Sequence, residues 1–255
     1  MKVAKENPDA QEAGLYAAKT LKIVSQTIHN VLLPIAAANY GIASFETYIK
    51  GKFGHDLSNL TVRIPPEHLA SPKPSIAGPA IQALVFTHDE QDLRDMFLNL
   101  IATSMDERIQ EKAHPAFVEI VKQLDGNEAR YLKSILSGNT TISLGEIRSV
   151  GDEYHVLERN VINLRTVTGE AAVDPQFAVW VDNWVRLGLF TSSFTTYMVN
   201  PDSYNWLETR PEYLRHVDNG IVPNPAKGVL ERTSFGTQFA IAIGIAVEDP
   251  DGDEG

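Results

Sequence analysis

Apolar residues recur every three or four positions through the middle of the chain, a spacing that favours helices packed around a shared core. The clearest stripe consists of Leu93, Met96, Phe97, Leu100 and Ile101. We predict four short helices over residues 76–137. Six side chains are expected to share one dry interior: Leu93, Phe97, Leu100, Phe117, Val121 and Leu124.

Local signals predict where these helices begin. The segment Thr87-His88-Asp89-Glu90 has the composition of a capping box that would open the second helix. His114-Pro115 would place proline at the first position of the third helix, where its missing N–H would be unpaired anyway. Asp125 followed by Glu128 predicts a cap for the fourth. The four helices should therefore be joined by tight connections.

The N-terminal region also has helical periodicity. Its apolar positions run from Leu15 to Ile35 and resume at Ile42, which predicts two helices or one helix kinked at Pro34. The most apolar part, 31–38, is much shorter than the roughly 18 apolar residues of a membrane span. We expect a core helix here, with membrane insertion under a trigger as the alternative.

The last third of the sequence combines helical and strand-like segments, and their order predicts a winged-helix-like α+β module. Asp174-Pro175 should cap a helix that ends at Gly188. Short strands are expected at 140–144, after Gly188 and at 228–233, with a closing helix at 234–243. The fold class predicted for the whole chain is mainly α, divided into an N-terminal helical region (1–63), a central helical module (64–138), the winged-helix-like module (139–246) and an acidic tail (247–255).

Composition narrows the classes of function. The net charge of -11 disfavours general nucleic-acid binding, which needs an excess of Lys and Arg. Cysteine is absent, which excludes disulfides, thiolate metal sites and a cysteine nucleophile. The first residues lack the apolar stretch of a secretory signal, so we expect a bacterial cytoplasmic protein.

No motif for catalysis, metal binding or cofactor binding is recognisable. The seven histidines are dispersed, without the spacing of a zinc-binding helix. Phosphate-binding loops, dinucleotide fingerprints and serine elbows are missing. The acidic group formed by Asp89, Glu90, Asp92 and Asp95 lies in the opening turns of a predicted helix, where negative charge suits the helix dipole, so we interpret it as a solvated face. We therefore predict no catalytic, metal or cofactor-binding residues.

Three segments resemble the abortive infection alpha family. They are Ile64-Pro65-Pro66-Glu67-His68-Leu69, the stretch from Asp92 to Ala102, and above all His114-Pro115-Ala116-Phe117-Val118-Glu119-Ile120-Val121-Lys122-Gln123-Leu124. The similarity is best over 64–136, and 233–239 resembles the usual end of the family. The resemblance implies a prokaryotic protein associated with phage resistance, and it brings no catalytic residues.

A ribonuclease remains an alternative, because metal-independent ribonucleases of the HEPN class use an Arg, a short spacer and a His. Arg108 with His114 and Arg210 with His216 match that spacing. The same pattern arises often by chance, and capping of a helix also explains His114. Five aromatic residues could stack on nucleic acid, but their spacing favours a core: Trp180, Trp184, Tyr197, Tyr204 and Trp206.

The sequence thus predicts an antiphage protein of the abortive-infection type that acts by binding or conformational change. A protein partner or self-association is expected, whereas nucleic acid is not favoured. The alternatives are the ribonuclease with an Arg/His pair and an effector that perturbs membranes through the N-terminal helices.

Overall fold

The computed structural model describes residues 15, 18, 19, 22, 42–150, 155–166 and 168–245. The described residues fall into two compact units. The first unit contains the described residues up to Ser137 together with those from Gln238 onward. The second unit is Gly138–Thr237. The predicted N-terminal helix over 15–35 and its apolar segment 31–38 lie almost entirely outside the described residues.

The first unit is helical. Its elements are α1 (Ile42–Tyr48), a π-helical turn (Ile49–Phe53), α2 (Gly54–Thr61), a short 3-10 turn (Pro66–His68), α3 (Pro74–Thr87), α4 (Gln91–Ser104), α5 (Ala116–Val121), α6 (Gly126–Leu136) and the second half of α9 (Ser234–Ala242). The prediction of four helices between 76 and 137 is confirmed. None of the described helices is both long and apolar enough to cross a bilayer.

The predicted interior of this unit is confirmed. Leu93, Phe97, Leu100, Phe117, Val121 and Leu124 are all buried. The rings of Phe117 and Phe239 pack edge to face at 5.3 Å, which joins α5 to α9. Periodic apolar spacing was a reliable guide here because α4 and α5 bury the apolar positions that recur along them.

Two of the three predicted helix starts differ from the structure. The prediction of a capping box at Thr87 is wrong, because α3 continues through Thr87. The N-cap residue of α4 is Glu90, whose side chain makes no capping hydrogen bond. Pro115 precedes α5 instead of lying inside it. The cap at Asp125 is confirmed, since Asp125 and Glu128 form a complete capping box.

The second unit combines a sheet with helices. It contains β1 (Thr141–Ser149), β2 (Val156–Ile162), α7 (Phe177–Arg186), β3 (Phe190–Ser193), two 3-10 turns (Pro201–Tyr204 and Leu207–Thr209), α8 (Pro211–Asp218), β4 (Pro223–Arg232) and the start of α9. All strand pairs are antiparallel, in the order β2-β1-β4-β3. The chain is therefore mixed α and β, and the mainly helical prediction describes its first unit only.

Most of the predicted order of this unit is present. α7 ends at Gly188, whose φ of 75° and closing hydrogen bonds form a Schellman motif. β3 follows this turn, pairs with β4 and precedes the closing helix. Strand β2 and helix α8 were not predicted.

The preference for a core over a stacking platform is confirmed for four of the five aromatic residues. Trp180, Trp184, Tyr204 and Trp206 are buried, whereas Tyr197 is exposed. Trp206 packs with Ile147, Val161 and Leu207 in one cluster. These four aromatic side chains are therefore part of the buried interior of the second unit.

Candidate functional site

A polar cavity of about 360 Å³ opens in the first unit. Helices α2, α4 and α6 and the residues that follow α9 form its wall. Its lining combines charged, amide and aliphatic side chains: Asp56, Asn59, Leu60, Arg94, Asp95, Met96, Leu98, Asn99, Lys133, Ile243, Gly244 and Ile245. The volume lies within the range of roughly 300–1,000 Å³ that is typical of small-molecule sites.

Gly244 shapes one side of this cavity. Its amide bonds to Ile241 O and the next amide bonds to Ala240 O, which ends α9 in a Schellman motif. The φ of Gly244 is 81°, a backbone conformation that suits glycine. A Cβ at this position would lie only 2.3 Å from Asn99 Oδ1. The glycine thus allows the chain to turn and lets Asn99 pack closely against it.

Asp95 is the most perturbed carboxylate of the site. It lies on α4, half-buried, and burial raises the pKa of its carboxyl group above the ordinary value. Lys133 and Arg94 lower this pKa, while Asp92 and Asp56 raise it. Among the residues that the structure describes, none donates a hydrogen bond to this carboxylate. Asp95 therefore presents acceptor oxygens to the cavity.

Tyr48, at the end of α1, lies close to the charged side chains of Asp56, Arg94 and Asp95. It is 7% exposed, and its ring stacks on buried His88 with centroids 5.5 Å apart. Burial, followed by the negative charge of Asp56, raises the pKa of the Tyr48 hydroxyl. The Asp56 carboxylate is close enough to this hydroxyl to act as a weak hydrogen-bond acceptor and to raise its pKa, but the contact lacks the geometry of a formed hydrogen bond. A buried hydroxyl without a partner is costly in a folded protein.

Arg94 has a second unpartnered group. Its Nη1 donates to His88 O at 2.7 Å, which fixes the guanidinium against the end of α3. Its Nε is buried and has no hydrogen-bond partner among the described residues. Two buried polar atoms beside one cavity, Tyr48 Oη and Arg94 Nε, lack the partners that such atoms normally have.

The remaining polar residues of the cavity are partly engaged. Lys133 Nζ bonds to Asp92 Oδ1 at 2.9 Å, so its charge is already paired. The amide nitrogen of Asn99 donates to the Asp95 carbonyl, and that of Asn59 contacts the His55 ring. The site therefore combines carboxylate and amide acceptors with the Arg94 guanidinium, which forms no ion pair with a carboxylate among the described residues.

The structure gives Arg108 and His114 local bonding partners. Two guanidinium nitrogens of Arg108 bond to buried Asp106 at 2.9 and 2.6 Å, and this pairing lowers the pKa of Asp106. His114 Nδ1 accepts the N–H of Ala116 at 3.1 Å. The helix-start explanation of His114 is confirmed by this bond. Neither residue lines the cavity.

Arg210 and His216 also have structural partners. Arg210 is 3% exposed and donates to both Glu212 oxygens and to two backbone carbonyls. His216 contacts Glu158 at 2.7 Å, and the same carboxylate pairs with Arg215. A guanidinium so buried and so fully bonded is not available to a phosphate group.

The interpretation of the acidic group on α4 needs a correction at one residue. Asp89 and Glu90 are exposed, and Asp92 pairs with Lys133. Asp95 instead lines the cavity, because the face that it shares with Asn99 is partly covered by neighbouring elements. The spacing of four residues between Asp95 and Asn99 places both on one face of a helix and is visible in the sequence. No sequence pattern pointed to Tyr48, Asp56 or Arg94.

No cluster of three or more His, Asp or Glu in the described ranges could hold a metal ion.

Comparison with known proteins gives one match. The family described as abortive infection alpha matches residues 46–243, which is more than three quarters of the chain. This range includes all the cavity-lining residues except two that lie just beyond its end. No curated protein and no solved structure matches the sequence.

Proposed function

Because the chain belongs to the abortive infection alpha family, we propose that it protects bacteria against phage, and that it does so by binding a ligand in the polar cavity of its first unit. Its site of action would be the cytoplasm. Binding would change the conformation or the contacts of the protein, and no catalytic step on the ligand is required.

One observation carries this proposal. Tyr48 Oη and Arg94 Nε are buried without partners, beside a cavity whose Asp95 carboxylate also has no donor within the described residues. Folded proteins pair almost all such groups, and the exceptions concentrate at functional sites, where a bound group can supply the missing partner. The size and mixed lining of the cavity also suit a small ligand.

Binding is favoured over the ribonuclease alternative by the partners of the candidate arginines. Arg108 pairs with Asp106, and Arg210 is buried against Glu212. Each guanidinium would have to give up these bonds before it could stabilise the charge of a phosphate.

The second unit is proposed to be a winged-helix-like module that contacts a protein, either another protein or a second copy of this chain. Support comes from the order α7, glycine turn, β3, β4 and α9. Support also comes from α8, which buries Glu212 and leaves Leu214 and Val217 each 45% exposed. Neighbouring Val222 is 69% exposed. Exposed apolar groups of this kind often mark protein contacts.

An efficiency-of-plating assay tests the proposed function. Cells that produce the wild-type chain should resist a susceptible phage, and the double variant Asp56→Asn, Asp95→Asn should plate that phage like cells without the gene. The matched control is Asp89→Asn, which changes an 89% exposed carboxylate outside the cavity. Full protection by the double variant would overturn the proposal.

A further inference from the structure

We propose that the second unit binds a second copy of itself through one apolar surface, the α8 face. Its five side chains are between 36% and 69% exposed: Val150, Leu214, Val217, Ile221 and Val222. The inference rests on the protein contact proposed for this unit and narrows it to one partner. It is independent of the cavity in the first unit.

Backbone hydrogen bonds bring the five side chains of the α8 face to one end of the unit. The amides of Gly220 and Ile221 bond back to the last turn of α8 in a Schellman motif, and the φ of Gly220 is 78°. The chain therefore leaves the helix along a fixed path. The amide of Val150 bonds to Val222 O at 3.3 Å, which places the residue after β1 beside this turn.

Polar contacts hold α8 with its apolar side outward. Buried Arg210 donates to both oxygens of Glu212 at 2.9 and 2.6 Å, and His216 contacts Glu158 of β2 at 2.7 Å. Turning the helix to bury its apolar side would break the buried ion pair, which is costly when one partner stays behind unpaired. The apolar side of α8 therefore leaves water only when another molecule covers it.

The charges of α8 are complementary to those of a second α8. Arg215 and Asp218 are exposed and lie three residues apart on the same flank of the apolar side. A two-fold axis can pair two copies of α8 antiparallel, so that like flanks face each other. Arg215 of each copy then lies beside Asp218 of the other. Arg215 also pairs with Glu158 of its own chain, and its five N–H donors can serve both carboxylates.

The net charge of the chain also favours this face for self-association. At -11, two copies repel each other over most of their surfaces. The exposed charges of α8, Arg215 and Asp218, cancel, so two copies can approach here with little repulsion. A strongly basic partner would find no excess of carboxylates on this helix to attract it.

The size of the face predicts a reversible dimer. A standard interface involves about 20 to 30 residues on each partner, whereas this face centres on a helix of 8 residues. We therefore expect monomer and dimer to exchange, with the dimer favoured as the concentration rises.

Sedimentation velocity tests the inference on the full chain, at concentrations from about 5 to about 500 µM, a range suited to weak complexes. The mean mass of the wild type should rise from 28.1 kDa towards twice that value. Val222→Asp should raise the dissociation constant at least about tenfold, because it places an unpaired charge in the contact. The matched control is Val199→Asp, at a 98% exposed residue of the same unit outside the α8 face, which should associate like the wild type.

A charge exchange tests the antiparallel pairing. Asp218→Arg and Arg215→Glu should each be monomeric alone, because like charges then face each other across the contact. An equimolar mixture of the two variants should form a heterodimer, in which both pairs are again of opposite charge. Thermal melting verifies that each variant is folded, and Val222→Asp tests the inference even if Arg215→Glu, which loses its contact with Glu158, is not.

Two results would overturn the inference: a wild type that stays monomeric over the whole range, or a folded Val222→Asp that associates as tightly as the wild type. Phage plating of the same variants separates this failure from a failure of the proposed function. If the wild type is monomeric and Val222→Asp loses protection, the α8 face contacts another protein, and the proposed contact stands without the second copy. If Val222→Asp is monomeric and protects fully, the dimer forms but the contact has no role in protection.

Discussion

At the scale of single residues, Asp95 makes the folded chain less stable as the pH rises. Its pKa is raised in the folded state, mainly by burial, with Asp92 and Asp56 adding to the effect and Lys133 and Arg94 opposing it. The folded chain therefore holds this proton more tightly than the unfolded chain does. The stability that protonated Asp95 contributes is present below the ordinary pKa of an aspartate. It is lost as the pH rises through the raised pKa of the folded state.

Replacing Asp95 with Asn removes the loss of stability that ionisation of Asp95 causes at higher pH. We expect Asp95→Asn to melt at a higher temperature than the wild type at pH 7, and the difference to shrink towards zero as the pH falls below the ordinary aspartate pKa of about 3.9. Differential scanning calorimetry across this range measures the effect. A variant that melts below the wild type at pH 7 would show that Asp95 is stabilised, not penalised, by its surroundings.

At the scale of elements, the success of sequence reasoning depended on whether each element buries its apolar side. Helices α4 and α5 bury their apolar residues, so the periodic spacing of those residues located both helices correctly. Strand β2 contains buried Asn160 with a φ of 51° and pairs with β1 in a shifted register, which obscures any alternation. Helix α8 has the reverse polarity, with Glu212 buried and Leu214 exposed.

The reversed polarity of α8 leads to a prediction. Leu214→Ser with Val217→Ser should change the stability by no more than about 0.5 kcal/mol per site, because exposed side chains contribute little to the folded state. The same variant should lose phage protection if this face contacts a protein. Thermal melting and efficiency of plating measure the two effects, and sedimentation velocity tells a second copy from another protein. Unchanged protection would contradict an interaction at α8.

At the scale of the whole chain, the family and the helical interior could be predicted from sequence, whereas the cavity could not. The motifs around His114 lie within the matched range, and the six predicted core residues are buried. The cavity brings together α2, α4, α6 and the end of α9, which are separated by long stretches of sequence. Its signal is the absence of partners for Tyr48 and Arg94, a property that exists only after folding.

The central claim is that ligand binding in this cavity causes protection. It is tested most directly by measuring phage plating and thermal melting for the same variants: wild type, Asp89→Asn, Asp56→Asn, Asp95→Asn and the double Asn variant. We predict that the double Asn variant is folded but no longer protects, with Asp89→Asn equal to the wild type in protection. A double Asn variant that is folded and protects as well as the wild type would contradict the claim.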